Sequence, residues 1–174
     1  TLGPATSTLA NAGMTGVVRG GPGYVAVGGA PNGAALTSGP VHAVVWTSVD
    51  GRTWTRIKDA PLFHSPAGTD ATYGVTASAI ATDGSRFVAV GNVATQGDVG
   101  SALAWWSSDA RTWQQATGDR FVYGQLSAVA SVPGRFLGTG PSGPDSCLGG
   151  IWSSTDGQAW ICVASDPPFD GSVA

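Results

Sequence analysis

The stretch WTSVDGRTW, Trp46 to Trp54, sets an aspartate and an arginine two residues apart between two tryptophans. A carboxylate beside a guanidinium is a pair that could grip a substrate or assist a proton transfer. An active site would need one such constellation, whereas nearly the same phrase is written twice more. WWSSDARTW runs from Trp105 to Trp113 and WSSTDGQAW from Trp152 to Trp160, so Ser48, Ser107 and Ser154 align, and so do Asp50, Asp109 and Asp156. The tryptophans stand eight residues apart in each copy. A recurring phrase marks a repeated structural unit before it marks a site.

A second repeat precedes the first. YVAVG (Tyr24 to Gly28), FVAVG (Phe87 to Gly91) and FLGTG (Phe136 to Gly140) each lead into a tryptophan phrase, and Tyr73 and Tyr123 open matching stretches upstream of the last two. The units fall at about 13–58, 73–117 and 123–165. Each reads as four short strands; in the second they are Val75 to Ala81, Phe87 to Asn92, Ala102 to Ser108 and Trp113 to Ala116, separated by Gly, Asp and Ser at turn positions. The third strand of each unit (AVVW, ALAWW, GGIW) is apolar on consecutive residues, so both faces should be buried. Small sheets covered on both faces and repeated along a chain are what radial stacking of blades produces. The expected fold is all-β: a β-propeller of four-stranded antiparallel blades, with 1–174 as a single region.

Within that frame the phrase acquires a structural task. An Asp carboxylate can accept hydrogen bonds from the N–H groups of its own turn, with Ser and Thr hydroxyls fastening the flanks. Gly51 and Gly157 would supply positive φ, whereas Ala110 at the equivalent place should strain its turn or give it another shape. The tryptophan rings can lie between neighbouring sheets. S-x-D-G-x-T-W resembles the Asp-box, or bacterial neuraminidase repeat, of sialidase-like β-propellers. The match is close at Ser48, Asp50, Gly51, Thr53 and Trp54 and looser around Trp113 and Trp160. The resemblance implies a hairpin turn on the outer part of each blade, away from the ligand face, with the three aspartates structural.

Three blades are fewer than the four to eight usual for a propeller. Either the chain is part of a larger propeller, or further chains complete one ring, or an unusual small ring closes on itself; the first two are preferred. DPPFDGSVA, Asp166 to Ala174, reads as the lead-in to another first strand. A β-trefoil also has three four-stranded repeats, but the Asp-box resemblance points away from it.

Composition bounds the partners. With 174 residues, 27 glycines, seven tryptophans and 11% charged residues, the chain suits a turn-rich sheet protein. A net charge of −3 argues against nucleic acid, which requires clustered Lys and Arg. No apolar run is long enough to span a bilayer as a helix. Cys147 and Cys162 flank the third tryptophan phrase, so folding that phrase as a hairpin would bring them close enough to bridge. A bridge implies an oxidising, extracytoplasmic compartment, secreted, periplasmic or cell-surface; two buried free thiols are the other reading.

A catalytic set is hard to assemble. The sialidase resemblance implies an arginine triad, a Tyr nucleophile assisted by Glu, and an Asp acid/base, yet all eleven acidic residues are Asp and no arginine-bearing FRIP motif is present. Arg52, Arg111, Arg86 and Arg135 occupy repeat positions, leaving Arg19, Arg56 and Arg120. No nucleophile elbow, P-loop, CxxC or HExxH occurs. With only His42 and His64, no histidine metal site and no cofactor are expected.

Variable loops on a repeated scaffold are the natural carriers of specificity. Ala30 to His42 and Asp59 to Gly74 are longer than their later counterparts. Phe63, His64, Asp70, Asp98, Asp119, Arg120 and Asp145 are the candidate contacts, while Tyr73 and Tyr123, at equivalent positions, are read as packing. The leading functional expectation is a non-catalytic exported binding or scaffold module that contacts a protein partner or surface glycan. The alternatives are part of a sialidase-like glycan-processing enzyme, with active residues partly outside this chain, and a subunit of a cell-envelope assembly.

Overall fold

The computed structural model describes residues 12–21, 23–31, 41–64, 74–95, 98–143, 145–147 and 149–163. Asp70, Tyr73 and the C-terminal DPPFDGSVA lie outside the described residues, as does most of Ala30 to His42. Strands β1 (Gly13–Gly20), β2 (Gly23–Pro31), β3 (Val41–Ser48) and β4 (Thr55–Arg56) form a first antiparallel blade. A second contains β5 (Gly74–Thr82), β6 (Phe87–Thr95), β7 (Asp98–Ser107) and β8 (Gln114–Gln115). After the short β9 (Thr117–Gly118), a third contains β10 (Ala128–Val132), β11 (Arg135–Thr139), β12 (Ile151–Ser154) and β13 (Ala159–Cys162). β9 runs parallel to β13, so the link out of the second blade adds a strand to the edge of the third. A parallel pairing of Val41 with Gly74 joins the first blade to the second. The architecture is that of β-propeller blades, and no strand pairing among the described residues returns from the third blade to the first.

Strand alternation divides the core. Side chains two apart share a sheet face, so in β6 Phe87 and Ala89 enter a cluster with Val25, Val27, Val45, Val75, Trp105 and Trp113 of the first two blades. Val88 and Val90, pointing the other way, pack with Leu126, Phe136, Trp152 and Trp160 of the third. The middle blade is therefore buried on both faces, which explains the unbroken apolar runs. On the far face of the first blade, Trp46 is buried with Ala26, Val44 and Trp54. The Trp105 and Trp152 indole N–H groups donate to the carbonyls of Leu62 and Asp119, at 3.1 Å each, tying each blade to the link that precedes it. The Trp46 Nε1 has no partner among the described residues.

The glycine ending each second-strand phrase has a steric cause. A Cβ on Gly28, Gly91 or Gly140 would collide with the carbonyl oxygen of Gly13, Thr76 or Gln125 on the adjoining inner segment. Close backbone approach admits only glycine there. Cys147 and Cys162 form a disulfide across the third blade, with Cα atoms 5.4 Å apart.

Candidate functional site

The two ends of the blades differ in what their polar groups do. At the turn end, Asp50 Oδ1 accepts from the N–H groups of Arg52 and Thr53 at 2.8 Å and from the Ser48 hydroxyl at 3.1 Å, while the Gly51 N–H donates to Ser48 Oγ. Asp109 repeats the pattern with Arg111, Thr112 and Ser107, and Asp156 with Gln158, Ala159 and Ser154. The Thr53 and Arg52 N–H groups hold the Asp50 carboxyl at about 2. Asp109 is likewise held at about 2, chiefly by the Thr112 N–H, with partial burial opposing. Burial works against ionisation of Asp156, but the Gln158 and Ala159 N–H groups outweigh it and its pKa is also lowered.

These turns share a shape as well. Gly51 and Gly157 have φ of 72° and 73°, and Ala110 at the same place has φ of 60°. The alanine keeps the left-handed conformation, and its methyl is fully buried in the core between the first and second blades. Asp83, which the repeats do not single out, pins the β5–β6 hairpin in the same manner through Ser85 and Arg86. Arg86 in turn donates to the Asp156 carbonyl at 3.1 Å, locking the second blade to the third.

The loop end is irregular, and it gathers two groups. In the first, Pro61 to Phe63 form a 3-10 turn in the link leaving the first blade, with proline's fixed φ suited to its first position. This turn sends Phe63 inward, where it is 2% exposed and wedged 5.8 Å from the Trp105 ring and 6.4 Å from Trp113. Phe63 is therefore a core residue rather than a ligand contact: a benzyl side chain between two indoles gains more from burial than from the surface. The next residue, His64, turns outward to Asp59, with Nε2 to Oδ2 at 2.9 Å. Its ring stacks on His42 near the start of β3, centroids 4.7 Å apart and planes 6° from parallel.

His42 is 5% exposed. Burial lowers its pKa below the ordinary 6.5; Asp59 opposes this, and the Arg56 and His64 charges add to it. It is thus neutral at neutral pH. Arg56 Nη2 contacts His42 Nε2, and a guanidinium can only donate. Nε2 therefore carries the lone pair and Nδ1 the proton, and Nδ1 has no partner among the described residues. One ligand atom from each of His42, Asp59 and His64 lies within 4.8 Å of the others. Sequence reading missed this cluster, because seventeen residues and the variable link separate its members; the signal available was that both histidines fall at the loop end.

The second group lies on the link into the third blade. Asp119 and Arg120 face each other at 3.9 Å, both exposed. Arg120 and Tyr123 adopt φ of 54° and 56°, uncommon for residues with side chains. Tyr123, expected to pack, is 38% exposed. Asp145 is exposed in the facing loop, which is tied to the link by Ser146 Oγ donating to the Arg120 carbonyl and by the Gly143 N–H donating to the Tyr123 carbonyl. Of the remaining candidates, Asp98 opens β7, its backbone opposite Thr95, and its side chain lies outside the described set, as Asp70 does entirely.

A propeller blade array with an irregular loop end is the class this structure defines. The sequence matches no protein-family model and no curated protein. Solved structures resemble the chain. One, described as showing that the GH130 family of mannoside phosphorylases contains glycoside hydrolases targeting β-1,2 mannosidic linkages in Candida mannan, superposes with a TM-score of 0.53 at 12% identity over 89% of this chain and 48% of its own. A candidate glycoside hydrolase from Parabacteroides distasonis gives 0.48 at 16% identity over 90% of this chain and 50% of its own. The chain spans about half the length of these structures, and the likeness is one of fold.

Proposed function

We propose that the chain is a non-catalytic, exported recognition module of Asp-box propeller type that binds a surface glycan through the Asp119–Tyr123 link and the facing Asp145 loop. The observation that carries this reading is Tyr123, an exposed aromatic residue in a left-handed conformation on the same short link as an exposed Asp119–Arg120 pair. Backbone outliers concentrate where binding needs a side chain held in one direction. An aromatic face with adjacent carboxylate and guanidinium groups offers a sugar an apolar platform and hydrogen bonds at its rim. The disulfide supports export. Four described aspartates, Asp50, Asp83, Asp109 and Asp156, serve as turn anchors and are not available for acid–base work.

The competing reading is part of a glycan-processing propeller whose reactive residues lie partly outside this chain. What favours it is the glycoside hydrolase description of the fold neighbour that superposes with a TM-score of 0.53, together with the half-length match. A glycan array with the purified chain, alongside chromogenic glycosides, separates the two. The expected result is saturable glycan binding, weakened at least about tenfold by Tyr123→Ala given the worth of a well-packed aromatic contact, with no turnover. Turnover abolished by Asp119→Ala or Asp145→Ala would replace the binding reading with the enzymatic one. Binding confined to protein ligands would redirect it to a protein partner.

A further inference from the structure

We propose that His42, Asp59 and His64 form a binding site for a divalent transition-metal ion of the Zn2+ type. Three observations converge. The ligand atoms come from two separate segments, β3 and the link after β4, and already lie within 4.8 Å of one another. His42 is 5% exposed, and its Arg56 contact marks Nε2 as the nitrogen with the lone pair, the Nδ1 that has no partner among the described residues carrying the proton. The place beside it is already taken by a cation: the Arg56 guanidinium faces the His42 Nε2 lone pair and lies 4.0 Å from Asp59 Oδ2.

The donor set fixes the class of ion. Two imidazoles and one carboxylate suit Zn2+ and its first-row neighbours, whereas Ca2+ and Mg2+ demand oxygen ligands. The His64 Nε2–Asp59 Oδ2 pair is already at 2.9 Å, so only the wider gaps must contract, by roughly an ångström, and His64 must turn out of its parallel stack on His42 so that both in-plane lone pairs meet one ion. Asp59 and His64 have the room to do so, since both are partly exposed. His64 Nε2 holds a proton toward Asp59 in the metal-free chain. For Nε2 to become a ligand, that proton moves by way of solvent to Nδ1 of the same ring, so that a neutral imidazole and a carboxylate face the ion. Arg56 must swing outward, as its guanidinium and the ion cannot share the position. The ion would staple the link to the blade, and three protein ligands leave a fourth position for water or a ligand oxygen.

The test uses the full chain with any affinity tag removed and metal stripped by chelator. Zn2+ is followed by titration calorimetry, and Co2+ by its visible absorption. The expected result is one ion per chain and a tetrahedral Co2+ spectrum. His64→Ala and Asp59→Asn should each weaken binding at least about tenfold, since even ligand-supporting residues are worth that much. Arg56→Gln should strengthen it, a gain that no purely structural role of the arginine predicts. Circular dichroism confirms that each variant is folded, and both His64 and Arg56 sit where substitution leaves the buried sheet intact. No uptake, or equal affinity in wild type and His64→Ala, overturns the site. Weaker binding in Arg56→Gln overturns the assignment of His42 Nε2 as the ligand-bearing face.

Discussion

The turn end and the loop end of the blades are made by one repeating chain on opposite principles. At the turns, each carboxylate finds its hydrogen-bond donors within three residues, so the same solution can be written again wherever a hairpin is needed. At the loops, donors and acceptors come from distant segments, and some are left over: a histidine nitrogen without a partner and two non-glycine residues in the left-handed region. Local satisfaction makes a group structural, because nothing outside is needed to complete it. Groups left incomplete in the fold are the ones with something to offer a ligand.

The comparison breaks most visibly in the tryptophans, which anchor both ends. Trp105→Ala removes a fully buried indole from the core between the first two blades and frees the Leu62 carbonyl that holds the link. We expect a loss of about 3–5 kcal/mol in denaturant unfolding. Should the loss stay near 1 kcal/mol, the ring is not the wedge between the two sheets. Next comes the disulfide. Replacing Cys147 and Cys162 together by Ser opens a loop of 15 residues and should lower stability by about 3 kcal/mol, read as the shift in urea midpoint under non-reducing conditions.

Within the turn end, equivalent glycines should respond unequally. Gly157→Ala puts a methyl against Val88 Cγ2 at 2.5 Å on top of a φ of 73°, for a loss of about 2 kcal/mol. Gly51→Ala meets only the Tyr24 ring at 3.4 Å, which is ordinary contact, leaving the backbone term of about 1 kcal/mol. Ala110→Gly tests the same point in reverse. Relief of the left-handed strain is offset by the loss of a buried methyl, so the net change should be close to zero. Thermal unfolding of the three variants in parallel gives the order, and equal losses at Gly51 and Gly157 would contradict the packing of the third turn on the second blade.

These contrasts also measure what was legible. The strands, the buried third strand of each unit, the positive φ at Gly51 and Gly157 and the Cys147–Cys162 bridge follow from periodicity and local turn chemistry, which act over a few residues. Ala110 is the exception in the sequence, and the structure keeps the turn shape there and buries the methyl. What could not be read depends on where links cross the sheet edges. Phe63 looked like a loop aromatic and became a core wedge, while Tyr123 looked like packing and became exposed. His42, Asp59 and His64 meet only because a 3-10 turn at Pro61 faces the start of β3. Among the described residues β9 has no counterpart in the first link, so no repeat announces its parallel pairing.

Acid titration separates the two ends by charge. The carboxyls of Asp50 and Asp109 are held at about 2, below an unfolded value of 3.8. Because the folded pKa is the lower one, their contribution is fully present above pH 4 and is lost as pH falls toward 2. Unfolding free energy should therefore decline between pH 4 and 2, and the double variant Asp50→Asn, Asp109→Asn should show a flatter decline over that window. An unchanged slope would mean the turn carboxylates are not anchored in solution.

The smallest expected effect on stability falls on the loop end. His64→Ala removes a partly exposed ring that stacks on His42 and pairs with Asp59. His64 and Asp59 are both partly exposed, so the change should stay within about 0.5 kcal/mol. A side chain so weakly tied to the fold is expendable to the architecture, which is the opposite of Asp50 or Asp109, whose carboxylates complete their own turns. If His64→Ala destabilised the protein as much as opening the disulfide does, His64 would belong with the anchors, and the division between self-satisfied turns and ligand-ready loops would fail at its most informative residue.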